Sequence, residues 1–134
     1  MDATKLIEQW AAGWSNGDVG QVVELFTADC VYEDVTFAAV QHGYAELAAF
    51  GRGFLAAVPD FTIELGPVLA EADRAAAEWT MHGTHTGDLP DLPATGRRFT
   101  IRGMSAFRTR DGRLSHCSDY WDAATWLRQL GHSR

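Results

Sequence analysis

Apolar residues recur at helical spacing near the start of the chain, at Leu6, Ile7, Trp10, Ala11 and Trp14, which predicts an amphipathic helix over about residues 3–15. Asn16-Gly17 stops it. Asp18, with Gln21 three positions on, reads as the capping box of a second helix whose apolar face is Val19, Val22, Val23 and Phe26. Residues 31–37 are β-branched and aromatic and predict a strand. A third helix follows, with Tyr44, Leu47, Ala48, Gly51, Phe54, Leu55 and Val58 on one face, and Pro59-Asp60 ends it. Everything beyond reads as extended: strands over 61–69, 75–86, 99–110 and 113–121. A loop with two prolines and two glycines spans 87–98, and Asp111-Gly112 is a strong hairpin turn. Asp122 caps a last helix bearing Leu127 and Leu130, with Gly131 placed to end it.

Helices first and strands afterwards predict an α+β fold. N-terminal helices laid on a strongly curved, mostly antiparallel sheet make a cone-shaped barrel whose open end is an apolar pocket. The length of 134 residues suits one domain over 1–134. With 46% hydrophobic and 22% charged residues, the composition is that of a soluble globular chain. A net charge of −7 argues against nucleic acid or an anionic membrane as partner. No apolar run nears the ~20 residues that span a bilayer, and Lys5 and Glu8 interrupt any signal-peptide pattern. Cys30 and Cys117 have no metal-type or Cys-x-x-Cys spacing, so reduced thiols in a cytoplasmic protein are expected.

The run His116-Cys117-Ser118-Asp119-Tyr120-Trp121-Asp122 sharpens the picture. Asp122 is explained as a helix cap, whereas Asp119 lies inside an aromatic strand. There a carboxylate is hydrated, paired, or held partly neutral with a raised pKa, and the last condition suits proton transfer near neutral pH. Counting outward from a two-residue turn at Asp111-Gly112 sets Asp119 opposite Met104 and Trp121 opposite Arg102. In that register Met104 shares the pocket face with Asp119, and Arg102 is a diagonal rival that would pair with it and lower its pKa. Alternation groups Tyr32, Asp34 and Thr36 on one face of the first strand, and Trp79, Met81, Gly83 and His85 on one face of a later one. Tyr32 and Asp34 are therefore candidate cavity groups, and His85 is a candidate proton shuttle at the rim. Trp10, Trp14, Phe54 and Trp121 are candidate walls for a flat ligand. No metal site is expected, since His82, His85 and His116 lack supporting carboxylate spacing. No nucleophile elbow, phosphate loop or dinucleotide fingerprint occurs, so no cofactor is expected.

Five segments together resemble the SnoaL-like polyketide cyclases of the nuclear transport factor 2-like superfamily. They are Trp14-Ser15-Asn16-Gly17-Asp18, then Trp79 with Gly83-Thr84-His85-Thr86-Gly87, Pro93-Ala94-Thr95-Gly96-Arg97, Asp111-Gly112-Arg113, and Ser118-Asp119-Tyr120-Trp121-Asp122. The resemblance implies an α+β cone that forms a homodimer through the sheet. It also implies that Asp119, by its place in the motif, is the acid/base of an intramolecular aldol closure. Epoxide hydrolases of the superfamily use an Arg-x-Asp pair on a neighbouring strand, which Trp79-Thr80-Met81-His82-Gly83-Thr84-His85 does not match. The expected activity is cofactor-independent proton movement on a hydrophobic, carbonyl-bearing small molecule, in the isomerase or lyase class. Asp119 would be assisted by His85 or Asp34, and Tyr32, Trp10, Trp14, Phe54, Met104 and Trp121 would hold the substrate. The competing expectation is a pocket of the same fold that binds small molecules without chemistry.

Overall fold

The computed structural model describes residues 2–132. Helices α1 (Ala3–Ser15), α2 (Val19–Val23) and α3 (Gly43–Ala57) precede the long strands, and α4 (Ala123–Leu130) follows them. The strands are β1 (Phe26–Asp34), β2 (Ala39–His42), β3 (Thr62–Glu71), β4 (Arg74–Thr84), β5 (Arg98–Arg110) and β6 (Arg113–Trp121). They form one unclosed, curved sheet in the order β2-β1-β6-β5-β4-β3. All neighbours are antiparallel except β1 and β6, which run parallel.

The helix ends follow from local chemistry. Asp18 accepts from the Gln21 amide at 3.1 Å, and Asp122 accepts from the Thr125 amide at 3.0 Å, each satisfying a first-turn N–H. Gly131 closes α4 with φ 88°, a left-handed value that suits glycine. The second helix is shorter than its apolar pattern suggests. Phe26 belongs not to its face but to the start of β1, where it is fully buried. The short strand β2 has no counterpart in the sequence reading. It pairs β1 through Ala39↔Asp34 to His42↔Val31, after a reversal that places Ala38 at φ 55°.

Leu6, Ile7, Trp10, Ala11 and Trp14 of α1 are buried in the core, and α1 packs against β3, β4 and β6. The inner sheet face supplies Ala77, Trp79 and Met81 from β4, Ile101 and Phe107 from β5, and Leu114 and Cys117 from β6. α3 packs on β1 and β2, and α4 packs on β5. Gln129 of α4 fixes that docking by accepting from the Thr100 amide at 2.8 Å and donating to its carbonyl at 3.1 Å. No helix among the described residues is long and apolar enough to cross a membrane.

The β5–β6 hairpin differs from the expected register in one respect that matters. Asp111 and Gly112 both take positive φ (54° and 74°) and Arg110 pairs with Arg113, as the two-residue turn requires. One turn further on, Thr109 pairs with Leu114 but Arg108 pairs with His116, so Ser115 is an extra residue on β6. Two long-range bonds hold this bulge. Leu114 donates its amide to the Leu25 carbonyl at 2.8 Å, and Thr109 donates to the Asp73 carbonyl at 2.9 Å. Beyond the bulge Asp119 faces Ser105, Tyr120 faces Met104, and Trp121 faces Gly103.

Candidate active site

The bulge decides the surroundings of Asp119. It brings Ser105, not Met104, onto the same inner face. The Ser105 hydroxyl donates to Asp119 Oδ1 at 2.6 Å, and the Trp79 indole N–H donates to Ser105 Oγ at 2.9 Å. The Cys117 thiol donates to the same carboxylate oxygen at 3.3 Å. On the other side the Tyr32 hydroxyl stands close to Asp119 and accepts from the Trp10 indole N–H at 3.2 Å. The carboxylate is thus held by two side-chain donors, from β5 and β6, and pairs with no cation among the described residues.

Asp34 is the register partner of Asp119 on β1. It is buried, accepts from the Trp121 indole N–H at 3.2 and 3.3 Å, and accepts from the Phe37 amide at 2.9 Å. Thr36 locks the Trp121 backbone from both sides, donating its hydroxyl to the carbonyl at 2.8 Å and accepting from the amide at 3.1 Å.

Both carboxyls hold their protons more tightly than usual. Removal from water raises Asp119 from 3.8 to about 6, with the charge of Asp34 adding to the rise; the Ser105, Cys117 and Tyr32 donors oppose it. Burial likewise raises Asp34, against the Phe37 amide and Trp121. Tyr32 is raised well above 10 by burial and then by the Asp119 charge, so its hydroxyl stays protonated. Cys117 is pushed up by burial and the same charge, which leaves it a thiol rather than a thiolate nucleophile.

The two carboxyls line a narrow cavity of about 40 Å³. Trp10, Trp14, Tyr32, Phe54 and Trp121, all expected at the pocket, are among its walls. Phe50, Phe61, Ile63, Trp79 and Met81 complete it and were not singled out from the sequence. Alternation had grouped Trp79 and Met81 on one face, and that signal would have found them. Ser105 had none, because its position depends on the bulge.

Two expected site residues lie elsewhere. Met104 is 43% exposed on the outer face of the sheet, where it pairs Tyr120, because the bulge shifts β6 by one residue against β5. Arg102 is also exposed, opposite Thr80, so it is not the partner of Asp119. His85 does point with Trp79 and Met81 to the inner side but is absent from the cavity wall. It is 0% exposed, lies 6.3 Å from the Trp126 ring of α4, and neither ring nitrogen has a partner among the described residues. Burial, and then His132, lower its pKa, so it sits as a neutral core imidazole. His82 is on the outer side, near Thr100 and Glu64 at 3.2 and 3.5 Å. Among the described residues no group of three His, Cys, Asp or Glu is arranged to hold a metal. Cys30 and Cys117 are both buried and unbridged.

An aspartate of raised pKa thus stands on the last long strand, in an aromatic cavity between helices and a curved sheet. The family model of SnoaL-like polyketide cyclases matches residues 4–130. The chain belongs to the SnoaL-like polyketide cyclase family. An aklanonic acid methyl ester cyclase of Streptomyces peucetius is 38% identical over 55 residues, 41% of this chain; the match spans only 38% of that enzyme's length. A candidate polyketide cyclase of Pseudomonas putida KT2440 superposes with a TM-score of 0.85 at 28% identity, over 96% of this chain and 98% of its own. A Catenulispora acidiphila protein with a ketosteroid isomerase-like fold, solved with trimethylamine, superposes at 0.86 over 97% and 95% of the two chains. Its 20% identity speaks for the fold alone.

Proposed function

We propose that this SnoaL-like protein is a cofactor-independent acid/base enzyme acting on a hydrophobic, carbonyl-bearing small molecule. The observation that carries the reading is Asp119, a carboxyl raised to about 6 within an aromatic cavity, where a group is charged enough to accept a proton at neutral pH and basic enough to be useful. In an aldol cyclisation Asp119 takes the proton from the carbon beside one carbonyl. The resulting enolate carbon bonds to a second carbonyl carbon of the same molecule, and the new alkoxide recovers the proton from Asp119. The product is an isomer of the substrate, and no co-reactant is consumed. Isomerisation or dehydration would begin with the same proton step.

Tyr32 is the donor suited to the enolate oxygen. Its hydroxyl lies near the Asp119 carboxylate on the wall of the same cavity. Once Asp119 has taken a proton, that hydroxyl is free to turn to the substrate oxygen, with the Trp10 N–H behind it making it a stronger donor. Asp34 keeps the local charge negative, and this supports the proton affinity of Asp119. His85, away from the cavity wall, has no part in the step. We also propose that the outer sheet face seats a second copy of the chain, since Leu69, Met104 and Tyr120 are exposed there at 75%, 43% and 47%.

Exchange of the protons beside the carbonyl of phenylacetone, followed by NMR in deuterated water, tests the reading. Exchange above the buffer rate that disappears in Asp119→Asn is expected. Wild-type exchange equal to that of Asp119→Asn would leave a binding pocket without chemistry.

A further inference from the structure

We infer that α4 is an acid-released clamp, docked while the His85 imidazole beneath it is neutral and freed when that ring takes a proton. This holds whether or not Asp119 is a catalyst. His85 lies one residue past β4, fully buried, with neither Nδ1 nor Nε2 partnered among the described residues. Its backbone is pinned, since its amide donates to the Arg97 carbonyl at 2.9 Å and its carbonyl accepts from the Gly96 amide at 2.8 Å. The ring can therefore meet water only if the layer over it moves, and that layer is α4. The Trp126 ring stands 6.3 Å from the imidazole, tilted by 40°, past the ~6 Å within which a cation gains from a ring face. Trp126 Nε1 is itself buried without a partner, and so is Nε2 of His132 just beyond α4. Such a place accepts a neutral imidazole and penalises a charged one.

The charged and titratable groups around His85 sort by element. Burial is the largest influence on the ring and disfavours its charge; His132, after α4, acts in the same sense. Asp88, on the loop after β4, opposes them, as do the Gly87 and Leu92 backbones, which stand near the ring without completing a hydrogen bond to it. Arg97 lies against Gly131 at the end of α4, and Arg128 of α4 donates to the Thr125 hydroxyl at 2.9 Å. Arg98, at the start of β5, is exposed and bears on Asp60. A lowered His85 pKa means that the undocked state binds the proton more tightly, so docking is full above 6.5, the ordinary histidine value, and weakens as pH falls through it. The eight residues of α4 are too few to hold a helix alone. Its hold on the sheet is the burial of Trp126 and Leu130 and the pair of bonds between Gln129 and Thr100. Trp126 in turn buttresses Trp121 at 5.2 Å and Phe37 at 5.7 Å, and the Trp121 indole holds Asp34. Release of α4 therefore loosens a wall of the carboxyl cavity from behind.

Amide hydrogen exchange followed by NMR on the full chain tests the clamp. From about pH 7.5 to about pH 5.5 the protection factors of Leu127 and Leu130, corrected for intrinsic exchange, should fall about tenfold. Those of Trp10 and Ala11 in α1 should change by less than about twofold. The ring-carbon protons of His85 should titrate in step with the loss, at a midpoint below 6.5. His85→Phe keeps a ring that takes no proton and should hold Leu127 and Leu130 within about twofold over the same range. His85→Leu removes the imidazole in a second way and should do the same, with thermal melts confirming that the variants fold. Asp119→Asn should retain the tenfold loss, because protonation of that raised carboxyl favours the fold rather than opposing it. Protection in α4 that stays constant, or that falls together with α1, would overturn the inference. So would a full loss in a folded His85 variant, or its disappearance in Asp119→Asn. If neither His85 variant folds, the wild-type titration decides: an imidazole that ionises while α4 stays protected overturns the clamp, and ionisation in step with lost protection upholds it.

Discussion

Asp34 and Asp119 stand directly across from each other on β1 and β6, the parallel pair of the sheet, and both line one aromatic cavity. Register partners project to the same side of a sheet, so this pairing forces two carboxyls into one low-dielectric space. Among the described residues each is met by neutral donors: Ser105 and Cys117 for Asp119, Trp121 and the Phe37 amide for Asp34. Such donors lessen the cost of burial without supplying the positive charge that would abolish basicity. The charge of Asp34 adds to the proton affinity of Asp119, and the Asp119 donors come from two strands, β5 and β6.

Rate should follow the ionisation of Asp119. If Asp119 is the base, kcat/KM for ketone proton exchange should rise with pH through a midpoint near 6 and level off above it. Asp119→Asn should lower the plateau by about 10²–10⁴-fold. A flat profile in the wild type between pH 5 and 8 would remove the role.

Stability should carry the same signature with the opposite benefit. The folded pKa of Asp119 lies above its unfolded value, so folding takes up a proton between about pH 4 and 6, and this carboxyl costs the fold progressively more as pH rises through that window. Two units correspond to about 3 kcal/mol. Urea melts at pH 4 and pH 7 should show Asp119→Asn gaining on the wild type by that order as pH rises. A constant difference between the two proteins would mean that the carboxyl is not perturbed.

Much of this site was legible in the sequence, and the exceptions share one physical cause. Alternation placed Tyr32 with Asp34 and Cys117 with Asp119 and Trp121, because a strand's period of two is local. Caps at Asp18 and Asp122, and the turn at Asp111-Gly112, were legible for the same reason. Met104 and Arg102 were misplaced, and Ser105 went unmarked, because the β6 bulge at Ser115 is held by Leu25 and Asp73, which lie far from the hairpin in sequence. His85 followed its alternation to the inner side, but helix α4 brings Trp126 over that end of β4, turning the expected rim into core. Neither the parallel pairing of β1 with β6 nor the position of α4 on β5 leaves a mark in the local pattern.

Ser105→Ala probes the relay behind Asp119. The variant removes a donor to the carboxylate, so the Asp119 pKa should climb further and the pH–rate midpoint should move up by about half a unit to one unit. It also orphans the Trp79 N–H, at a cost of about 1–3 kcal/mol in urea unfolding. Ser105→Thr, which keeps a hydroxyl, should restore the midpoint more fully than the stability. A midpoint unmoved in the alanine variant would show that the hydroxyl does not serve the carboxylate.

Tyr32→Phe separates binding from chemistry. The ring remains to pack between Phe26 at 5.5 Å and Phe50 at 6.0 Å, so KM should change little. The donor to the enolate is lost, and kcat should fall by about 10–10³-fold. A rise in KM at unchanged kcat would assign Tyr32 to substrate binding and leave the enolate to another donor.

Gly103 is where the site depends on an absent side chain. It faces Trp121 on β6 and Trp79 on β4, and an added Cβ would stand 2.5 Å from Trp79 Cη2 and 2.8 Å from the Tyr120 carbonyl oxygen. The carbonyl belongs to β6 and cannot yield without disturbing the strand that carries Asp119. Displacing Trp79 would break its bond to Ser105 and so loosen the donor that restrains the carboxylate. Gly103→Ala should therefore destabilise the protein by about 1–3 kcal/mol. In the fraction that folds, it should also raise the pH–rate midpoint in the same direction as Ser105→Ala. Urea melts and the pH profile measured on one preparation check both effects. Lost stability with an unmoved midpoint would show that Trp79 does not transmit to Asp119 through Ser105.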